Sequence, residues 1–208
     1  MPASRGMTLM EILIAIVILS IGLLGIAGLQ AATAKYKINT WSRSAASGLV
    51  SDIAERIRIN PDGIAGNYNN GVDDSGASAY KLTANWATQQ ADDVQGTWAA
   101  AKQCEAAGIA CTVDERAAYD LAVWRKQVRD SIPQGAAQIA GGKHDGVRVT
   151  LMWYDKDFLK ADSDGKFTEL DQSPVCADDS TGMKAQSCCP QATAAPDGVR
   201  CANFVFIP

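Results

Sequence analysis

Three sets of residues in this 208-residue chain have the types and spacings that can do chemistry: six cysteines, an acidic run and a lone histidine. Cys104 and Cys111 stand close enough to crosslink an eight-residue loop. In the chain-entropy picture such a loop is worth about 2.5 kcal/mol. The other four run Cys176-x11-Cys188-Cys189-x11-Cys201. Three pairings of these four are open, with a bond between the neighbours Cys188 and Cys189 the strained one. A four-thiolate zinc site is the alternative, although the C-x2-C spacing of such sites is missing.

The acidic run holds Asp155, Asp157, Asp162, Asp164, Glu169 and Asp171. Its Asp-Ser-Asp-Gly segment fits part of a calcium loop, with Glu169 and Asp171 as later ligands. On the EF-hand frame, however, Lys160 falls at the first ligand position, so residues 155–171 read as a solvated turn between strands. His144 lies in Gly141-Gly142-Lys143-His144-Asp145-Gly146, a turn by composition. Adjacent residues do not make a base and its orienting partner, and no nucleophile motif is present. The sequence therefore predicts neither catalysis nor a cofactor nor a bound metal.

Nineteen basic against 23 acidic residues give a net charge of −4. That balance argues against a nucleic-acid backbone as partner. The charges are unevenly placed: only Arg5 and Glu11 lie among the first 34 residues. The chain thus has a nearly uncharged start and a polar remainder.

From Ile12 to Leu29, 14 of 18 positions are apolar and none is charged. As a helix this run spans roughly 27 Å, close to the hydrocarbon thickness of a bilayer. A buried core helix would need a polar face, which is missing. A cleaved secretory signal could use Met1–Arg5 as its basic region and Ala32-Thr33-Ala34 as its cleavage site, but the apolar run is long and Glu11 opens it. An acid at that depth is disfavoured by up to about 3 kcal/mol and asks for a cationic partner. Cleavage after Gly6 would free the amine of Met7, a cation that Glu11 of a neighbouring subunit could neutralise. Gly22, Gly25 and Gly28 each cost about 1 kcal/mol of helix propensity; as small residues they allow close helix approach.

The elements that carry these groups follow from periodicity. Ile38, Trp41, Ala45, Leu49, Ile53 and Ile57 form an apolar stripe at spacings of three and four, stopped by Asn60-Pro61-Asp62-Gly63. One helix from about Thr8 to Ile59 is predicted, roughly 78 Å long. Residues 63–76 read as a Gly/Asn/Asp loop, 80–86 as a short strand and 87–102 as partly helical. Thr112 with Glu115 is a capping-box pattern, and Ala118, Leu121, Trp124, Val128 and Ile132 give its helix an apolar face that ends at Pro133 and Gly135. Val147–Trp153 alternates as a half-buried strand, and residues 202–207 suggest another. The fold class expected is α+β, one long helix on an antiparallel sheet.

The segment RGMTLMEILIAIVILSIGLLGIAGLQ, with basic leader, Gly6, Thr8-Leu9, Glu11 and apolar run in order, resembles the signal of type IV prepilins and pseudopilins. Met7 stands where the family usually has Phe. Asp52–Pro61, the stretch from Cys111 to Trp124, Ile132–Gly135, Val147–Trp153 and Ser20–Gln30 narrow the resemblance to minor pilins of the PilV type, over most of residues 5–155.

The resemblance implies a type IV pilin-like fold whose antiparallel head carries disulfide-stapled loops. Prepilin peptidase would cut between Gly6 and Met7 and N-methylate Met7, Glu11 would guide docking into a filament, and Gly22, Gly25 and Gly28 would mark the place where the helix unwinds on packing. The divisions implied are a leader (1–6), a transmembrane and filament-core helix (7–30), an amphipathic half (31–60) and a periplasmic head (61–208). An oxidising periplasm favours disulfides over zinc at all six cysteines. Lys35 and Lys37 oppose the positive-inside rule weakly, so orientation in the inner membrane rests on the signal. Expected partners are other minor pilins, the major pilin, prepilin peptidase, inner-membrane lipid and a tip adhesin, with no nucleic acid. Two rival readings stand: a minor pseudopilin of type II secretion, and an adhesin-like module binding through its C-terminal loops.

Overall fold

The computed structural model describes residues 9–65, 68–69, 72–73, 78–142, 146–177 and 179–208. They fall into two units, Met1–Trp41 and Ser42–Pro208. The first is the front of helix α1, Leu9–Ile59. Its Leu9–Gln30 stretch is long and apolar enough to cross a membrane, and none of it is buried in the protein. The Ser20 hydroxyl, the one side-chain donor between Ile12 and Leu29, is satisfied locally by the carbonyl of Ile16 at 2.7 Å.

The second unit is built on a three-stranded antiparallel sheet in the order β3-β4-β7. Its strands are β3 Ala136–Gly142, β4 Gly146–Tyr154 and β7 Val199–Phe206. Before the sheet come α2 Asp62–Ala65, the two-residue pair β1 Tyr68–Asn69 and β2 Val72–Asp73, and helices α3 Trp86–Ala91, α4 Val94–Ala100 and α5 Val113–Ser131. The hairpin β5 Leu159–Ala161 and β6 Phe167–Leu170, then α6 Gly182–Ser187, lie between β4 and β7.

One face of β4 supplies Val147, Val149, Leu151 and Trp153 to the main core, against Leu49, Ile53 and Ile57 of α1 and Trp124 and Val128 of α5. Side chains two apart share a strand face, which is why the alternating set lands together. The Trp124 indole reaches across the core to donate to the Leu49 carbonyl at 2.7 Å. Helix α5 begins where its spacing predicts: Thr112 accepts from Glu115 N–H, and the Glu115 carboxylate accepts from Thr112 N–H. It ends at Ile132, and Gly135 follows because a Cβ there would stand 2.2 Å from the Val128 carbonyl oxygen.

Three local expectations change and one strand is added. Trp41 is not on the buried stripe; it is 56% exposed, and among the described side chains the buried face of α1 comprises Ser42, Ala46, Leu49, Val50, Ile53, Ala54 and Ile57, while Ile38 lies outside the described side chains. Residues 80–86 are not a strand: Leu82 makes a single bridge to Ile139 and Trp86 opens α3. Strand β4 is not half-buried, since Thr150 and Met152 on its second face are covered as well. Met152 belongs to a second cluster with Trp86, Ala136, Cys189, Val199 and Cys201, and the Thr150 hydroxyl donates to Asn203 Oδ1 of β7 at 2.7 Å. Finally, β3 is a strand in its own right although its Ala- and Gly-rich sequence has low strand propensity; pairing with β4 from Ala136↔Met152 to Gly142↔Gly146 holds it.

Candidate assembly interface

The N-terminal determinants sit on the first unit. Glu11 lies in the first turn of α1, where the partial positive charge of the helix end favours a carboxylate. Gly6 and Met7 lie outside the described residues. Around Gly22, Gly25 and Gly28 the helix is continuous, and added Cβ atoms would meet open space. Every side chain from Leu9 to Gln30 is exposed. An apolar surface of that extent on one element calls for lipid or other helices.

The second unit has a polar cluster where α1 ends. Arg56 donates to Asp52 at 3.0 Å and to Asp120 of α5 at 3.1 Å, and lies 3.5 Å from Glu105. The Tyr80 hydroxyl donates to the other Asp120 oxygen at 2.6 Å and accepts from the Asn60 amide at 3.2 Å. Asn60 also donates to the Val113 carbonyl. Burial works to lower the Arg56 pKa, but Asp52 and Asp120 outweigh it and leave the value raised. Burial, reinforced by Asp120, pushes Tyr80 well above an ordinary phenol. A buried carboxylate with both oxygens engaged is a fastener. It ties the last turn of α1 to α5 and to the loop closed by Cys104–Cys111. The periodicity of the sequence did not point to this cluster. The signal available was Asp120 itself, an acid four residues before Trp124 on the buried side of α5.

All six cysteines are paired: Cys104–Cys111, Cys176–Cys188 and Cys189–Cys201. No thiolate is left for zinc. Of the three pairings open for the last four, this one sends Cys188 and Cys189 in opposite directions, one toward Cys176 and one to β7. Asn203 of β7 donates to the Ala185 and Cys188 carbonyls, both at 2.8 Å, so α6 rests on the strand.

In the acidic run, Asp162 and Asp155 find partners within the protein. Asp162 accepts from Thr168 Oγ1 at 2.7 Å and from the Lys166 and Asp164 N–H groups, which hold its carboxyl below the usual range. Asp155 pairs with Arg200 at 2.7 Å. Among the described residues no group of three His, Cys, Asp or Glu could hold a metal ion. His144 and Asp145 lie outside the described residues.

Residues 1–27 match the family described as the prokaryotic N-terminal methylation motif. No curated protein and no solved structure matches the chain. The motif, the long N-terminal apolar helix, the antiparallel sheet and the three disulfides define an α+β, type IV pilin-like fold. Within that class the motif is that of a pilin-like or pseudopilin structural subunit and not of an enzyme. It implies processing by prepilin peptidase, membrane anchoring and assembly with other pilins.

Proposed function

We propose that this chain is a minor pilin of the PilV type, a subunit that primes and joins the type IV pilus. The carrying observation is the methylation motif at residues 1–27 running into the wholly exposed apolar helix Leu9–Gln30. In this reading prepilin peptidase removes residues 1–6 after Gly6 and methylates the amine of Met7. Residues 7–30 hold the subunit in the inner membrane and then in the filament core, and residues 31–60 carry the amphipathic half of the helix. The head, 61–208, faces the periplasm and later the cell surface. Glu11 neutralises the Met7 amine of a neighbouring subunit, a pairing strengthened by the low dielectric around it. The other minor pilins and the major pilin are the partners, with a tip adhesin beyond them.

The test is Glu11→Ala in the native strain, reading leader cleavage and surface pili separately. The expected result is normal cleavage with loss of surface pili. Normal pili would refute the docking role of Glu11. Intact pili with failed protein secretion would reassign the chain to a type II secretion pseudopilin. Deletion of residues 176–201 that leaves pili intact but abolishes attachment would favour the adhesin-like reading.

A further inference from the structure

The two edges of the β3-β4-β7 sheet are treated differently. On the β3 edge, Ile139 exchanges both backbone hydrogen bonds with Leu82, at 2.9 and 3.0 Å. Ala137 does the same with a side chain: its N–H donates to Gln89 Oε1 at 3.0 Å and its carbonyl accepts from Gln89 Nε2 at 2.8 Å. Gln89 is buried and acts as a one-residue strand that closes the edge. The β7 edge has no such cover at its end. Asp155 N–H donates to the Gly198 carbonyl. With the register Tyr154↔Val199 to Val147↔Phe206, that bond turns Phe204 and Phe206 toward β4 and Val205 outward. Among the described residues, the outward N–H and C=O of Val205 have no hydrogen-bond partner. Val205 is 64% exposed and Ile207 74%.

An exposed apolar edge strand is a template for another chain. Arg148 stands opposite Val205 on the same sheet face, exposed and without an ion-pair partner among the described residues. A strand added beside β7 would place its residue opposite Val205 about 10 Å from the Arg148 backbone, within joint reach of an arginine and a carboxylate side chain. Pairing of β7 with β7 of a second copy does not fit, because β7 (VRCANFVF) offers no acid. We propose that the Asn203–Ile207 edge of β7 binds an extended segment of a different protein by strand addition. That segment carries apolar residues and an aspartate or glutamate that pairs with Arg148.

The test uses the full chain in its native envelope, with a photo-crosslinking amino acid in place of Val205 and, as control, in place of the exposed Lys81. The expected Val205 cross-link maps by mass spectrometry to an acid-containing segment of another protein, with none from Lys81. A synthetic peptide of that segment should bind the purified full chain about tenfold more weakly after Arg148→Glu, with regain when its acid is changed to lysine. Val205→Pro, which removes the outward N–H, should abolish binding while all three disulfides still map correctly. No Val205 cross-link, a cross-link to β7 of a second copy, or binding unchanged by Arg148→Glu would each overturn the proposal. Leader cleavage and pilus counts, read in the same strains, report separately on the pilin reading.

Discussion

Tyr80 donates its phenolic proton to Asp120 across 2.6 Å, with both side chains closed off from water and 40 residues apart in sequence. The second Asp120 oxygen takes Arg56 from the last turn of α1. One carboxylate thus joins three segments that have no local reason to meet. Its loss should be felt by the whole second unit.

Tyr80→Phe keeps the ring in the core and removes only the hydroxyl. It leaves one buried oxygen of Asp120 unsatisfied and should cost about 1–3 kcal/mol. Asp120→Ala strips Arg56 of its buried partner and should cost about 3–5 kcal/mol. Urea denaturation of the detergent-solubilised chain measures both, and a double variant no worse than Asp120→Ala alone would show that the two residues act as one unit.

The pH dependence has a defined sign. Tyr80 is raised above its ordinary value by burial first and by Asp120 second. A group whose folded pKa is raised stabilises below its unfolded value, about 10, and loses that contribution as pH rises further. Stability should therefore fall above about pH 10, and Tyr80→Phe should flatten that fall. Tyr119, raised by burial and by Glu105, keeps the residual slope from vanishing. Denaturation midpoints taken on either side of that pH decide the matter.

Gln89→Leu should open the β3 edge. It removes the partners of both the Ala137 N–H and carbonyl, at about 1–3 kcal/mol for each unsatisfied group. Hydrogen exchange at Ala137 should accelerate, while exchange at Ile139, held by Leu82, stays slow. Equal acceleration at both would mean that the edge unravels as a whole.

The disulfides should rank by loop length and by what they anchor. Replacing Cys104 and Cys111 by serine should cost about 2.5 kcal/mol, the chain-entropy value for a short loop. Replacing Cys189 and Cys201 should cost about 3 kcal/mol or more, because both also belong to the buried cluster that holds Met152 and Trp86. Thermal unfolding of each double variant gives the order, and a reversed order would contradict this account.

An acid limb is expected as well. Glu115, lowered first by Lys102 and then by the Thr112 N–H, and Asp162, lowered first by Thr168, stabilise above the ordinary carboxylate range. Both contributions fade as pH falls through their folded values, below about 4. Glu115→Gln should reduce the acid sensitivity of α5, followed by its helical circular dichroism.

What could be read without the fold is whatever depends on near neighbours in sequence. The apolar run, the capping box at Thr112 and Glu115 and the alternation of β4 all rest on periods of two to four residues. The helix stop at Asn60-Pro61 is equally local. Reading failed where the same local pattern admits two environments. Trp41 continues the stripe by spacing but not by burial, and Thr150 looks outward-facing yet is buried, its hydroxyl bonded to Asn203 of β7.

Chain-local hydrophobicity and capping suffice to specify an apolar N-terminal stretch of helix within a methylation motif, and an α+β remainder. It took the packed fold to settle which cysteines meet, that Tyr80, Asp120 and Arg56 form one fastener, and that Gln89 seals one sheet edge while Val205 leaves the other open. Those choices pair residues tens of positions apart. Their energies depend on what excludes water around each pair, and no short-range pattern encodes that.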